Sequence, residues 1–330
     1  MKRLIEQFTY QIEEGIKISQ NTTLAPISNP IHNIVIAGLG GSGIGGTIIQ
    51  DLLFHESKLP ITVIKDYFVP AFVNENTLYI VCSYSGNTEE TLEGLQVAQA
   101  QKANIVAITS GGTLENIAQQ HHFPYVLIPA GNPPRASLMY SLTQLLFIVH
   151  HYGILKENPT TTLQKAVTLL RKEETAILEE TQKVASLLAD RIPVLYVGAG
   201  YEGVTIRMRQ QINENSKMLA WHAVIPEMNH NELVGWTEKQ SNLAVLFLRN
   251  EEDYYRTLSR MDFCKQLIDS HCDTVLDIYS KGDTVLERTF YWVYWGDWLS
   301  WFLSEQKQVD AMSVNIINKL KENLSFLKEK

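Results

Sequence analysis

Short apolar runs alternate with longer helical patterns along most of this 330-residue chain. The runs are rich in valine and isoleucine and end at glycine or polar residues, which is typical of strands buried in a parallel sheet. Such runs lie at residues 34–37, 61–64, 78–81, 104–108, 125–128, 192–197, 243–248 and 274–278. Because helical stretches separate most of them, the pattern predicts an α/β fold of doubly wound parallel sheets, each an α/β/α sandwich.

The arrangement of a strand, a glycine turn and a helix occurs twice. A G-x-G-x-x-G turn at residues 38–43 follows the first strand, and a second such turn at residues 198–203 follows the sixth. The two turns stand 160 residues apart (198 − 38), and the polar stretch 156–160 between the halves is typical of a linker. We therefore expect two copies of one α/β unit, residues 1–155 and residues 156–330.

Two helices outside the alternating pattern are also expected. Residues 1–20 have the spacing of an amphipathic helix. The stretch 290–303 carries eight aromatic residues that wrap around most of a helix. A helix that is apolar on most sides is buried, so this stretch predicts a core helix or a helix at a subunit contact.

Composition excludes several classes of protein. The formal net charge is −8 and no run of Lys or Arg occurs, which argues against nucleic-acid binding. No stretch reaches the roughly 20 apolar residues of a membrane span, and the N-terminus lacks the apolar segment of a secretory signal. The three cysteines are odd in number and lack metal-ligand spacing. These features predict a cytoplasmic protein that binds neither membrane nor nucleic acid.

A turn rich in hydroxyl groups stands between the third strand and the helix pattern that begins at Glu89. Ser83, Ser85 and Thr88, which we call the hydroxyl cup, surround Gly86 there. The start of a helix leaves backbone N–H groups unpaired and carries partial positive charge, which suits a phosphate. One hydroxyl would indicate only a helix N-cap, whereas three favour a phosphate site. No comparable turn follows the strand at 274–278, which predicts one phosphate site per chain.

The first glycine turn allows two interpretations. G-x-G-x-x-G after a strand is also the dinucleotide fingerprint, and Asp66 lies 23 residues after Gly43, where an acid that binds ribose belongs. A dinucleotide-dependent oxidoreductase is therefore one alternative. The hydroxyl cup has no role in holding an adenosine and favours a sugar phosphate instead. In that case Gly40, Gly41 and Ser42 approach the sugar, because glycine lets backbone come close to a ligand.

Three further motifs follow in order, Pro-Pro-Arg-Ala-Ser at 133–137, Asn-Glu-Asn-Ser-Lys at 213–217 and Glu-Met-Asn-His-Asn-Glu at 227–232. With the glycine turn and the hydroxyl cup, they resemble the bifunctional phosphoglucose/phosphomannose isomerases over essentially the whole chain. The resemblance implies two sugar isomerase (SIS) domains. It also implies an enzyme that converts glucose 6-phosphate, and mannose 6-phosphate as a second substrate, into fructose 6-phosphate through a cis-enediolate. This reaction requires no metal and no cofactor.

The resemblance and the chemistry of the reaction together assign roles to individual residues. Glu214 is expected to be the base, His230 the residue that opens the sugar ring, and Arg135 the cation beside the enediolate. In the family this histidine reaches the neighbouring subunit's site, which implies a homodimer. Ser83, Ser85 and Thr88 are expected to hold the phosphate. Lys319 is expected to contact sugar hydroxyls, with Lys321 as the alternative.

The end of the chain departs from the family pattern. The family tends to have Asp-Pro before its final helix, whereas this chain has Asp310-Ala311. In the family a small hydroxylated residue near this point is linked to accepting the mannose epimer. Met312 or Ser313 stands at that position here.

A phosphosugar-binding regulator without catalysis is the second alternative. Such a protein would bind sugar phosphates without turnover and would not need Glu214 or His230. Regulators of this kind usually add a DNA-binding segment, and no basic helix-turn-helix segment is evident in the sequence. The isomerase is therefore the preferred hypothesis.

Overall fold

Two parallel sheets form the centre of the computed structural model, which describes residues 1–27 and 29–326. The strands of the first sheet are β1 (Asn33–Ala37), β2 (Ile61–Ile64), β3 (Thr77–Ser83), β4 (Asn104–Thr109) and β5 (Tyr125–Leu127). They are all parallel and lie in the order β2-β1-β3-β4-β5. The strands of the second sheet are β6 (Ile192–Gly198), β7 (Trp221–Ile225), β8 (Leu243–Arg249) and β9 (Val275–Tyr279). They are also parallel, in the order β7-β6-β8-β9.

Helices connect and cover the strands. The first half contains α1 (Lys2–Glu6), α2 (Phe8–Asn21), α3 (Gly40–Leu52), α4 (Glu89–Ala100), α5 (Gly112–His121) and α6 (Leu138–His151). The remainder contains α7 (Thr160–Leu188), α8 (Glu202–Ser216), α9 (Tyr255–Asp269), α10 (Val285–Gln306) and α11 (Asn315–Ser325). Short 3₁₀ turns lie at Pro134–Ala136, Glu227–His230 and Glu232–Gly235. None of the helices within the described residues is both long and apolar enough to span a membrane.

The order of strands places both glycine turns at a switch point. In the first sheet the chain passes from β1 to β2 on one side and then crosses back to β3 on the other side of β1, so the strand order reverses at β1. In the second sheet β6 is flanked by β7 and β8 in the same way. A crevice opens at the carboxyl ends of strands where the order reverses, and ligands of open α/β sheets bind there. The glycine turn after β1 and the hydroxyl cup after β3 therefore lie side by side.

The fold class predicted from the sequence is confirmed, with two differences in detail. Strand β7 was not predicted, because it is an edge strand with a mostly half-buried pattern and includes a polar His222, so it lacks the apolar run of a central strand. The single helix expected at residues 1–20 is divided into α1 and α2 at Gln7. The boundary between residues 155 and 156 stays a prediction.

Helix α10 is a core helix of the described chain. Trp292 and Trp295 are 0% exposed and Trp298 is 1% exposed. The helix packs against α7 and α8, and its N-terminus has a capping box formed by Thr284 and Glu287. The aromatic stretch is thus part of the core and not an exposed surface. Burial of each large apolar side chain stabilises the fold by roughly 1.5–3 kcal/mol.

A carboxylate of the first half binds the start of a helix in the second half. Asp51, in the last turn of α3, accepts a hydrogen bond of 2.6 Å from the backbone N–H of Gly203 in the first turn of α8. An acceptor at this place satisfies a helix N–H that has no partner within the helix. Burial raises the pKa of Asp51 to about 6, although the Gly203 hydrogen bond acts in the opposite direction.

Asp51 should therefore make stability depend on pH. Because its pKa in the folded state lies above the usual 3.8, the native state binds more protons than the unfolded state between about pH 4 and 6. The free energy of unfolding should fall as pH rises through that window, by at most about 3 kcal/mol for two pKa units. Asp51→Asn keeps an acceptor for Gly203 and should remove this part of the slope. Urea unfolding from pH 4.5 to 7.5 measures it.

The control for this experiment is an aspartate on the surface. Asp190 is exposed at the end of α7, and Asp190→Asn should leave the slope unchanged. Equal slopes in the wild type and in Asp51→Asn would contradict the prediction.

Candidate functional site

The hydroxyl cup lies where β3 ends and α4 begins. Ser83 Oγ and Thr88 Oγ1 are 2.9 Å apart and share a hydrogen bond. Thr88 is the residue before α4, yet its side chain makes no capping hydrogen bond. The first backbone N–H groups of any helix have no carbonyl partner within that helix. Those of α4 can therefore donate to a ligand beside the hydroxyls of Ser83 and Thr88. These hydroxyls therefore do not form an ordinary N-cap.

The loop that carries the cup is fixed by its neighbours. Gly86 has a φ of +70°, and a Cβ at this position would lie 1.8 Å from the carbonyl oxygen of Gly111. Only glycine fits there. Asn87 Oδ1 accepts hydrogen bonds from the backbone N–H and the hydroxyl of Thr113, at 3.0 and 2.8 Å. The cup is therefore held by Gly111 in the loop after β4 and by Thr113 in the first turn of α5, and Ser85 is left exposed at its rim.

The glycine turn after β1 contacts two other parts of the site. Ser42 Oγ accepts a hydrogen bond of 3.0 Å from the backbone N–H of Tyr84, which joins the turn to the cup. A Cβ on Gly41 would lie 2.9 Å from the backbone carbon of Pro134. Gly41 is thus required for close packing against the 3₁₀ turn Pro134–Ala136. Gly40 instead has a φ of +52° and faces open space, where a ligand can approach its backbone.

Arg135 is buried at the centre of this arrangement and is 5% exposed. Its Nε donates to Asn215 Oδ1 at 2.9 Å, and its Nη2 donates to the carbonyl oxygens of Ala311 and Met312 at 2.8 and 3.2 Å. Its Nη1 lies 3.3 Å from Glu214 Oε2. A guanidinium has five N–H groups, so one N–H on Nη1 is left for a ligand. Burial lowers the pKa of Arg135, and Glu214 opposes that shift.

Glu214 stands in the last turn of α8 with its side chain 29% exposed. The amides on either side of it, Asn213 and Asn215, have other partners. Asn213 donates to the carbonyl oxygen of Met218, and Asn215 binds Arg135 and Ser300. Arg135, whose Nη1 lies 3.3 Å from Glu214 Oε2, is therefore the group that orients the Glu214 carboxylate.

Lys217 is a site residue to which the sequence assigned no role. Its Nζ donates to the backbone carbonyl oxygens of Glu214 and Ser313, at 2.5 and 2.8 Å. Burial and the nearby charge of Arg135 lower the pKa of Lys217. Together Arg135 and Lys217 fasten residues 311–313 over the end of α8. Its position in the motif 213–217, three residues after Glu214, is the sequence feature that could have identified it.

Two expected site residues lie outside this cluster. His230 is exposed at the end of the 3₁₀ turn Glu227–His230, and Lys319 is exposed on α11, as is Lys321. Within residues 1–27 and 29–326, no hydrogen bond or ion pair joins any of these three side chains to Arg135 or Glu214. One chain thus brings together the expected base, the expected cation, the glycine turn and the cup, but not the expected histidine or lysines.

Comparison with known proteins gives matches over both halves. Residues 29–153 match the SIS domain, and residues 178–324 match the bacterial phospho-glucose isomerase C-terminal SIS domain. The chain is 37% identical over 330 residues to a bifunctional phosphoglucose/phosphomannose isomerase of Caldicellulosiruptor bescii, covering 97% of each protein. It is 33% identical over 298 residues to the protein of that name from Aquifex aeolicus, covering 89% of this chain and 91% of the relative.

A solved structure shares the fold at much lower identity. The C-terminal domain of glucosamine-fructose-6-phosphate aminotransferase from Francisella tularensis superposes with a TM-score of 0.71 at 16% identity. The superposition covers 94% of this chain and 98% of that domain. This likeness concerns the fold alone.

Proposed function

The chain belongs to the bifunctional phosphoglucose/phosphomannose isomerase family, and from this premise we propose how its site performs the reaction. The enzyme is an isomerase, formally an intramolecular oxidoreductase, that interconverts glucose 6-phosphate and mannose 6-phosphate with fructose 6-phosphate. The observation that carries the proposal is the contact of 3.3 Å between buried Arg135 and half-exposed Glu214, beside the glycine turn and the hydroxyl cup. This interpretation replaces the regulator and the oxidoreductase that the sequence left as alternatives.

Glu214 and Arg135 divide the chemistry between them. Glu214 takes the proton from C2 of the open-chain aldose, and the electron pair moves to form the cis-enediolate. Arg135 stabilises the negative oxygen through its remaining Nη1 N–H, and a fixed cation in a buried place needs no reorganisation. Glu214 then returns the proton to C1 while the proton of the C2 hydroxyl passes to O1, so that C2 becomes the carbonyl carbon of the ketose. Both side chains are already in contact, so the proton-transfer step requires that the open-chain sugar lie across them.

The hydroxyl cup anchors the other end of the substrate. Ser83, Ser85 and Thr88 together with the start of α4 hold the phosphate, while Gly40 and Ser42 approach the sugar. Binding energy from the phosphate, which does not react, is available to position C1 and C2. Lys319 contacts sugar hydroxyls from α11, with Lys321 as the alternative.

A second copy of the chain completes the site by supplying His230. Two observations support this. His230 is exposed, and within the described residues no hydrogen bond or ion pair joins it to Arg135 or Glu214. Helix α11, which continues from the segment that Arg135 and Lys217 fasten, buries none of its described side chains. Its apolar residues are exposed: Ile316 (84%), Ile317 (42%), Leu320 (57%) and Leu324 (37%). We infer that the partner subunit covers α11 in a homodimer.

Hybrid dimers test the donation of His230 across the interface. Glu214→Gln and His230→Asn subunits, co-expressed with different tags and purified as hybrids, should recover about half of the wild-type activity. Each hybrid has one site with an intact glutamate and the partner's intact histidine. Each parent dimer should be nearly inactive. Hybrids as inactive as their parents would show that both residues act within one chain.

The activity itself is tested with both substrates. Purified protein should convert glucose 6-phosphate and mannose 6-phosphate into fructose 6-phosphate, measured in a coupled assay and unaffected by a chelator. Binding of both sugar phosphates without turnover would contradict the proposal and favour a regulator.

The three cysteines are free and buried, which fits a reducing compartment, and we place the enzyme in the cytoplasm.

A further inference from the structure

A buried ion pair lies directly beneath Arg135. Arg207 on α8 is 2% exposed, and Asp297 on α10 is 5% exposed. Arg207 Nη2 lies 2.9 and 3.0 Å from the two carboxylate oxygens of Asp297. The same Nη2 donates to the backbone carbonyl oxygen of Arg135 at 2.6 Å. The ion pair therefore has a direct bond to the backbone that carries the proposed cation.

The neighbouring contacts show how this backbone is held on several sides. Gln11 on α2 donates to the carbonyl oxygen of Ala136 at 2.7 Å, and Gln211 on α8 donates to Asp297 Oδ1 at 2.7 Å. Arg207, Gln211 and Asn215 are four residues apart on one face of α8. This face thus supports Arg135 at both ends, because Arg207 binds its backbone and Asn215 binds its guanidinium.

Stability alone is a weak explanation for the pair. Removing two charges from water costs several kcal/mol for each ion, and apolar residues of similar volume often serve stability as well. Burial raises the pKa of Asp297 even though Arg207 and Gln211 oppose that shift, which is consistent with a net cost of burying its charge. The ion pair binds one particular carbonyl oxygen, that of Arg135. Holding this carbonyl in place explains the pair more directly than stability does.

We propose that Arg207 and Asp297 are positioning residues for Arg135. By fixing the Arg135 carbonyl, they fix the direction from which its guanidinium meets Glu214 and the enediolate. This proposal rests on the proposed role of Arg135 in the isomerase reaction. Neither residue needs to touch the substrate, so their loss should act on the chemical step and little on phosphate binding.

A double-mutant cycle tests the proposal. Arg207→Met combined with Asp297→Leu replaces the ion pair by apolar side chains. In the wild-type background it should lower kcat by about 10- to 100-fold, since displacement of a reacting group by about 1 Å has effects of that size. KM should change by less than about threefold. In an Arg135→Met background the same pair of changes should lower kcat by less than about twofold, because Arg135 is no longer there to position.

A second buried arginine provides the matched control. Arg249 is 3% exposed and lies 2.5 Å from Asp277 in the second sheet. Arg249→Met with Asp277→Leu should leave kcat per folded molecule within about twofold. If the Arg207 and Asp297 double variant does not fold, Asp297→Asn, which keeps the size of the side chain, enters the same cycle with an expected loss of roughly 3- to 10-fold.

The outcomes separate the two claims. A large loss that is equally large in both backgrounds would show that the pair acts independently of Arg135 and would overturn the positioning proposal alone. A normal kcat in Arg135→Met by itself would overturn the proposed role of Arg135. A normal kcat in the folded Arg207 and Asp297 variant would also overturn the positioning proposal.

Discussion

Glu214→Gln should lower kcat by about 10³- to 10⁴-fold, at the upper end of what a positioned base contributes. The amide keeps the shape of the side chain and a hydrogen-bond acceptor for Arg135, but it does not take up a proton at neutral pH. The hydroxyl cup is untouched, so the affinity for sugar phosphate should stay within about threefold of the wild type. Steady-state kinetics with fructose 6-phosphate and calorimetric titration of the same ligand measure the two effects.

Another glutamate of the same helix controls for the loss of charge. Glu202 stands in the first turn of α8 with its side chain 52% exposed, far along the helix from Glu214. Glu202→Gln should retain kcat within about twofold. Turnover close to normal in Glu214→Gln would assign the proton transfer to a different group.

Arg135→Met should lower kcat by about 10²- to 10³-fold, the size of effect seen when a donor to a developing oxyanion is removed. Methionine fills much of the same volume but stabilises no negative charge. The change also leaves the Glu214 carboxylate and the carbonyl oxygens of Ala311 and Met312 without their donor. KM should rise less than kcat falls, because the proposed phosphate site is the hydroxyl cup, which this change leaves intact.

An exposed arginine serves as the matched control for this charge. Arg171 has a side chain that is 54% exposed and pairs with Glu13 at the surface at 2.8 Å. Surface pairs of this kind contribute about 0–1 kcal/mol, so Arg171→Met should have nearly normal kinetics and stability. An Arg135→Met enzyme with a raised KM and an unchanged kcat would show that Arg135 binds the ground state and the transition state equally, which would contradict its role beside the enediolate.

Local features of the site were predictable from the sequence, because each depends on residues close together in the chain. The hydroxyl cup spans residues 83–88. A turn between a strand and the following helix lies at the carboxyl end of that strand, here β3. The glycine turn was recognisable for the same reason. The close packing of Gly41 against Pro134 was not, since 93 residues (134 − 41) separate them and only the folded chain brings them together.

Contacts between segments that are far apart in the chain could not be predicted from the sequence. Glu214 and Arg135 were proposed for the same site through the family motifs, but no spacing indicates that they form an ion pair across 79 residues (214 − 135). Asp297 lies within the aromatic stretch 290–303, and the structure pairs it with Arg207. An isolated charge within an apolar helix pattern is the signal that could have located this network.

Exchange of hydrogen with solvent tests the proton transfer by Glu214 most directly. Fructose 6-phosphate is incubated with the enzyme in D₂O, and the aldose 6-phosphate that forms is analysed by ¹H NMR. A carboxylate that holds the proton between C1 and C2 exchanges part of it with water, so the expected result is deuterium at C2 of the product, with Glu214→Gln slowing conversion and exchange together. Complete conversion with no deuterium at C2 would indicate direct hydride transfer between the carbons and would contradict the role of Glu214.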